Sequence, residues 1–559
     1  MHRANIVATT GARGATRRRV MQDTASAPAL TPQAPAGASA PLLAFSDAHG
    51  ASRWSKSLMI AGVAPRFEAI YGQLKAMAGT EFAPRERATI AEVMREQVAL
   101  LHTELARRYA GKPQPAADRE LEAADQATAL WQALWEQYSA CLKPLLEGDQ
   151  ELQGVKAKLL QRGLYVGKQM VLVHGLARRV SPASVWQELH AYYRLAEMLD
   201  CTVTAVSDDL APNAVGVSCY ATYCHALLLD LADPCAMTIR QIELSDRWLG
   251  QWARKVFPYA QQRETEGPLI VVDLDGTTGA QLVAASPHDP PSSLRYGYPG
   301  KLATSVRGRL KRLTAGASPA ELQLGQDTSV EGSAALLKHL DTRWYQTRSS
   351  TADEHRTPLD LTAGGVTAAY YRVGGRTFDR QDPLGRLTFQ GASHLQTLGA
   401  LTDYDRHKEE AERNWPWERW QGRYEWQDAT LARSDSGRYR WFLEQLVVAR
   451  DKERMRLGYV TRVAFDPRGD FALAIAFWPG APKTVAVRPL SIAFSEEPPM
   501  PALLLSETSG EQATIIVPPR TFNAGRVLRS MDPGPERKFR LLRLVQRGGD
   551  FERVAFEES

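Results

Sequence analysis

The sequence predicts an α+β multidomain protein: an N-terminal all-α domain, then an antiparallel β-barrel with a helical insertion, then a small C-terminal β module. Three observations predict it. From about 55 to 260, apolar residues recur at helical spacing. Beyond 356, short β-rich runs alternate with glycine-containing turns, the pattern of a small barrel or sandwich. Between them, 283–330 is rich in Pro, Ser and Gly. The expected divisions are a disordered leader over 1–50, the helical domain over 51–265, and a linker over 266–330 with one strand and a basic patch. The barrel follows over 331–495 with an insertion at 378–420, and the β module covers 496–559.

The leader is expected to be unfolded because 16 of the 18 residues from 24 to 41 are Ala, Pro, Ser, Thr or Gly, too few apolar groups to bury. In the helical domain, 84–110 sets Ile90, Met94, Val98, Leu101 and Leu105 on one stripe behind Pro84. Residues 121–143 carry Leu130, Trp131, Leu134, Trp135 and Tyr138, with Pro144 after them. Ser181-Pro182 opens a helix with Val185, Trp186, Leu189 and Tyr193 inward. Helices are also expected over 220–231 and 238–257. Further on, 269–272 is a buried strand and 331–345 a short helix. Strands are expected over 359–373, 424–431, 439–448, 457–465, 471–477 and 484–492, with a charged, Trp-rich helix over 402–420.

Charge and cysteine narrow the function classes. The net charge of the 559 residues is +5, and five arginines against two aspartates in the first fifty supply most of it. A duplex binder needs basic charge gathered on a folded face, so composition argues against nucleic acid. Five scattered cysteines make a disulfide framework an unsuitable reading and fit a reducing, cytoplasmic setting. No run of 18 apolar residues occurs, so no membrane span is expected.

Several motifs carry chemistry. Ile270-Val-Val-Asp273-Leu-Asp275-Gly-Thr277 is similar to the first motif of haloacid-dehalogenase-type phosphatases, where paired aspartates act with Mg²⁺. No later strand ends in an acidic pair, and a strand running into an Asp-Gly turn is the plainer reading. Cys219, Cys224 and His225 lack metal-site spacing and read as buried helix residues, as does His190. No metal and no cofactor are expected. Residues 415–426 hold four tryptophans with Arg419 and Arg423, a set suited to stacking on bases, to a protein interface, or to pinning an insertion onto the barrel. Lys301, Arg307, Arg309, Lys311 and Arg312 form the basic patch.

Arg348 and Arg356 stand beside the first strand of the β region, and Ala432-Arg-Ser434-Asp-Ser-Gly437 follows a later one. On these residues the β region resembles a degenerate PilZ domain, a six-stranded barrel that binds cyclic di-GMP in bacteria. The family pattern is Arg-x-x-x-Arg before the first strand and Asp/Asn-x-Ser-x-x-Gly on the barrel surface. Ser434 and Gly437 match the second motif, Ala432 replaces its Asp or Asn, and Arg356 matches one arginine, with Ala352 in place of the other. Arg419-x-x-x-Arg423 has the right internal spacing at a different place in the chain. The helical part, through Trp186-x-x-Leu189-His190-x-x-Tyr193 and 220–234, is similar to the N-terminal region of long proteobacterial proteins that end in such domains.

The resemblance implies a non-enzymatic signalling or adaptor protein. Cyclic di-GMP would contact Arg348, Arg356 and Ser434, Gly437 would give the turn its freedom, and Arg419 and Arg423 would supplement the clamp. The helical domain would bind a protein partner. The alternatives are a ligand-free interaction scaffold, the Mg²⁺ phosphatase, and a nucleic-acid binder.

Overall fold

The computed structural model describes residues 42–559 apart from 59, 211–216, 264–266, 286–289, 348–356, 380–401, 426, 436, 453, 467–468, 491–496 and 509. The leader expected over 1–50 lies outside the described residues up to 41; helix α1 (Ala48–Ser57) then begins behind Asp47, whose carboxylate caps Gly50 N.

The helical part is built around α7. Helices α2 (Val63–Ala78), α3 (Pro84–Tyr109), α4 (Asp118–Ser139), α5 (Leu142–Leu146) and α6 (Gln150–Gln153) precede α7 (Lys156–Leu176). After it come α8 (Ala183–Met198), α9 (Cys219–Leu231) and α10 (Ile239–Trp252). The expected stripes do pack: Ile90, Met94, Val98, Leu101 and Leu105 of α3 meet Leu130, Trp131, Leu134 and Trp135 of α4, all buried. α7 is covered on nearly every side by α4, α8 and α9. Two glycines let α8 come so near. A Cβ on Gly163 would lie 1.9 Å from Tyr192 Cε1, and one on Gly167 2.4 Å from Leu189 Cδ2.

The segment expected as a linker is folded. Strands β1 (Leu269–Asp273), β2 (Gln281–Val283) and β3 (Leu294–Gly297) form an antiparallel sheet in the order β2-β1-β3. Helices α11 (Gly300–Thr314) and α12 (Val330–Tyr345) bury Leu302, Val306, Leu336, Leu340 and Trp344 in the helical core, and Trp344 Nε1 donates to Leu228 O at 2.9 Å. The helix over 331–345, expected to open the barrel domain, thus packs with the helices, because its apolar stripe faces α9.

Two closed six-stranded barrels follow. The first has the order β4-β5-β6-β9-β8-β7, with β4 (Thr357–Thr362), β5 (Glu418–Tyr424), β6 (Asp428–Arg433), β7 (Leu446–Asp451), β8 (Arg454–Phe465) and β9 (Phe471–Phe477). Strict alternation builds its core; every second residue of β9 from Phe471 to Phe477 is buried. The second barrel has the order β10-β11-β12-β15-β14-β13, with β10 (Pro482–Pro489), β11 (Met500–Leu505), β12 (Thr514–Val517), β13 (Val527–Ser530), β14 (Lys538–Arg547) and β15 (Glu552–Glu558).

Three strand expectations and one helix expectation need correction. The strand expected over 359–373 stops at Thr362. Gly364 (φ +129°) and Gly365 (φ +67°) turn the chain into helix α13 (Gly365–Gly374), which buries Val366 and Ala369 between the two barrels. The helix expected over 402–420 is α14 (Thr402–Asn414), and Trp415-Pro416 ends it before β5. The run over 424–431 divides between β5 and β6. The strand expected over 484–492 as part of the first barrel pairs with β11 and β13 and closes the second.

Two main-chain bridges join the first barrel to the helical part. Gln114 N donates to Trp441 O at 2.7 Å and Trp441 N to Gln114 O at 2.6 Å. Val180 N donates to Phe465 O at 3.0 Å and Phe465 N to Arg178 O at 2.8 Å.

Candidate ligand site on the first barrel

Strand β5 places alternate residues on opposite sides of the barrel wall. Glu418, Trp420 and Gly422 face in; Arg419, Gln421 and Arg423 face out. The β5–β6 register sets Gln421 opposite Ala432, so Arg419 and Ser434 follow at the same end of the two strands. On the other flank Arg419 lies opposite Asp360 of β4. The outer face therefore brings Arg419 beside the turn carrying Ser434 and Gly437. Arg423 sits two repeats of the strand alternation further along, beyond Gln421 and level with Thr430. Arg348 and Arg356 lie outside the described residues; β4 begins at Thr357, directly after them.

The turn rests on an inward carboxylate that sequence reasoning did not single out. Glu418 is buried, and Arg433 Nη1 donates to its Oε2 at 2.7 Å. Tyr439 N donates to Oε1 at 3.0 Å, and Arg438 N donates there too. Arg433 also pairs with Asp435, whose carboxyl that contact holds below its ordinary range. Gly437 (φ +63°) passes so close that a Cβ would lie 2.6 Å from Arg433 Nη1 and 2.7 Å from Glu418 Oε1. The match at Gly437 thus has a local cause: the turn needs a left-handed residue without a side chain. The available signal was a Glu at an inward position of an alternating strand, which needs a buried partner.

Below Arg419 lies a recess of about 450 Å³ lined by Thr357, Pro358, Asp360, Arg419, Arg450 and Lys452, among others. Arg419 Nε is 3.1 Å from Asp360 Oδ1, and Arg450 Nη2 is 2.8 Å from Oδ2. Burial pushes the Asp360 carboxyl up, but the two guanidinium groups outweigh it and the net direction is down. Arg423 pairs with Glu425. Arg419 and Arg423 both face solvent, so these pairs contribute little to stability.

The tryptophans act in packing. Trp420 is fully buried against Trp441 and Phe471, with ring centroids 5.7 and 5.6 Å away. Trp417 lies under Arg372 and Arg450, and Trp415 O accepts from Arg372 Nε at 3.0 Å. Trp426 lies outside the described residues.

The other motifs also find local partners. β1 is the centre of an antiparallel sheet, unlike the parallel sheet a phosphatase of the suspected type requires. Asp273 Oδ1 accepts from Asp275 N at 3.0 Å, and Asp275 pairs with Arg194 at 2.5 Å. In the basic patch, Arg307 pairs with Asp341, and Arg309 donates to Leu322 O and covers Trp252. His190 is buried with Nδ1 2.8 Å from Tyr223 Oη and Nε2 3.0 Å from Thr278 O. Cys219 and Cys224 are buried, and His225 Nε2 lies 2.8 Å from Asp246 Oδ1.

The architecture is a helical domain bonded through main-chain bridges to a first six-stranded barrel, with a second barrel after it in the chain. Residues 49–259 match the family model described as "Cyclic-di-GMP receptor FimW, N-terminal domain", and residues 485–559 match the "FimW C-terminal beta-barrel domain". The chain carries the two terminal domains of the FimW cyclic-di-GMP receptor family, and the first barrel lies in the stretch between them. No curated protein and no solved structure matches the chain. Among the described residues no helix is long and apolar enough to cross a membrane.

Proposed function

We propose that this chain is a non-enzymatic cyclic di-GMP receptor that binds the nucleotide on the outer face of the first, PilZ-like barrel. The observation that carries the reading is the placement of outward Arg419 level with Ser434, on the strand neighbouring β4, whose start follows directly on Arg356. Phosphate would take the place of Asp360 at Arg419, with Arg423 and the Arg348–Arg356 segment completing the clamp. The family of the two flanking domains supports the ligand.

The turn also suggests how binding is transmitted. Three residues after Gly437, Arg440 donates to Pro113 O at 2.8 Å and to Pro115 O at 3.0 Å, and pairs with Glu120 of α4 at 2.5 Å. Ligand that fixes the turn biases this contact with the helical part, a population shift rather than catalysis. A partner protein would then read the helical domain.

The test is calorimetric titration of cyclic di-GMP into the full chain. Binding at micromolar concentration that Arg419→Ala weakens at least about tenfold is expected. Absence of heat at tens of micromolar would overturn the receptor reading. It would favour the ligand-free scaffold, for which Ala432 in place of a polar base-reader speaks.

A further inference from the structure

The basic patch on α11 is only partly spent on ion pairs. Arg307 takes Asp341, but among the described residues no carboxylate pairs with Lys255, Arg309 or Arg312. Lys255 stands just after α10, and Ser305, Arg309 and Arg312 stand on successive turns of α11. Lys255, Ser305 and Arg309 are half-buried, and Arg312 is exposed.

Two cations meet on one hydroxyl. Lys255 Nζ and Arg309 Nη1 each donate to Ser305 Oγ at 2.5 Å, so the two nitrogens lie within twice that distance of each other. Both side chains also cover buried Trp252, at 5.9 and 4.9 Å from its ring centroid. Neither the hydroxyl nor the ring carries a net charge to offset the repulsion between them. Burial, then the charges of Arg309 and Arg254, push the Lys255 ammonium below its ordinary range. Burial, then the charge of Arg312, does the same to Arg309.

Hydrogen-bond donors are left over as well. A serine oxygen accepts two hydrogen bonds, and both places on Ser305 are filled. Arg309 spends its Nε on Leu322 O and its Nη1 on Ser305. The Ser305 proton, two protons of the Lys255 ammonium and Nη2 of Arg309 therefore find no acceptor among the described residues. The cluster presents donors and positive charge, and no acceptor.

We propose that this cluster is a binding site for a dianionic phosphoryl group, free or carried as a monoester. Such a group brings three unprotonated oxygens and two negative charges to the donors of Ser305, Lys255 and Arg309, with Arg254 and Arg312 beside them. A carboxylate brings two oxygens and one charge, and leaves donors unmet. The site lies on the helical domain and does not depend on the reading of the barrel face.

Calorimetric titration of the full chain with methyl phosphate and with inorganic phosphate, at an ionic strength held constant by sodium chloride, is the test. One phosphoryl group per chain is expected to bind at millimolar concentration or below. The tighter of the two ligands tells whether the group arrives esterified or free, and either result supports the site. Lys255→Met removes a charge and keeps the stem over Trp252. It is expected to weaken binding about tenfold, with the ligand-free melting temperature equal to the parent's or above it, because a repulsion is relieved. Arg312→Gln, at an exposed position, should also weaken binding and leave the melting temperature unchanged. No binding of either ligand at about 10 mM would overturn the proposal. So would an affinity that Lys255→Met and Arg312→Gln leave unaltered.

Discussion

Arg462 of the first barrel holds Asp233 of the helical domain symmetrically, its Nε 3.1 Å from each carboxylate oxygen. Asp233 follows α9 and has φ +56°, and its Oδ2 also takes Arg343 of α12 at 2.7 Å. One carboxylate therefore ties a barrel strand and α12 together. Asp233→Asn keeps the left-handed conformation accessible but leaves two partly buried guanidinium groups facing an amide. A loss of about 2 kcal/mol is expected, read as a lower denaturation midpoint of the helical domain. Arg462→Met, which removes charge and keeps the packing of the stem, should cost less than Asp233→Asn in the same measurement.

Asp230, one turn before Asp233, makes stability fall with rising pH. Burial, then the neighbouring Asp233 charge, pushes its carboxyl up to about 7, against a counteracting pull from Arg462. The folded form holds a proton that the unfolded chain releases near 3.8. Its favourable contribution is complete below about pH 4 and is lost as pH climbs to about 7. Asp230→Asn should flatten that slope and exceed the parent in stability at pH 8 by up to about 3 kcal/mol, checked by urea unfolding at pH 5 and pH 8. Equal slopes for both proteins would rule this out.

Gly437→Ala should disturb the barrel locally. The added methyl would meet both members of the Glu418–Arg433 pair in a backbone region that alanine avoids. A cost of about 1–3 kcal/mol is expected, together with weaker cyclic di-GMP binding, whereas Ser434→Ala should weaken binding without changing the melting temperature.

Arg440→Ala separates binding from transmission. Its three contacts all lie on the helical side, at Pro113, Pro115 and Glu120. Cyclic di-GMP affinity should be nearly unchanged, while ligand-dependent protection of α4 amides in hydrogen exchange is lost. If the protection persists, the signal leaves the barrel by another route.

What was legible in the sequence was periodicity. The stripes of α3, α4 and α10 and the alternation of β8 and β9 fixed element types because each has one buried side. Closure was not legible. Pro479-Gly480 looks like any hairpin turn, so β10 was read into the first barrel, although its partners lie beyond residue 500. Gly364-Gly365 was likewise hidden within an apolar run that reads as one long strand. At the barrel face, Arg419, Ser434 and Gly437 were found because they are motif residues. Glu418 escaped because 402–420 reads as a charged helix, which hides the strand alternation with Trp420 and Gly422 that puts it inside. Helix α7 was not among the expected elements, because a helix buried on nearly every side carries no one-sided stripe to read.

The bridges at Gln114–Trp441 and Val180–Phe465 are made by main chains alone. Such a seam is indifferent to the kind of side chain on either strip and constrains only the path of the backbone. The side chains there answer to each domain's own packing, as Trp441 does in the barrel core, and not to the join. The change it does not accept is proline at 114, 180, 441 or 465, because each of these positions contributes the N–H that proline lacks.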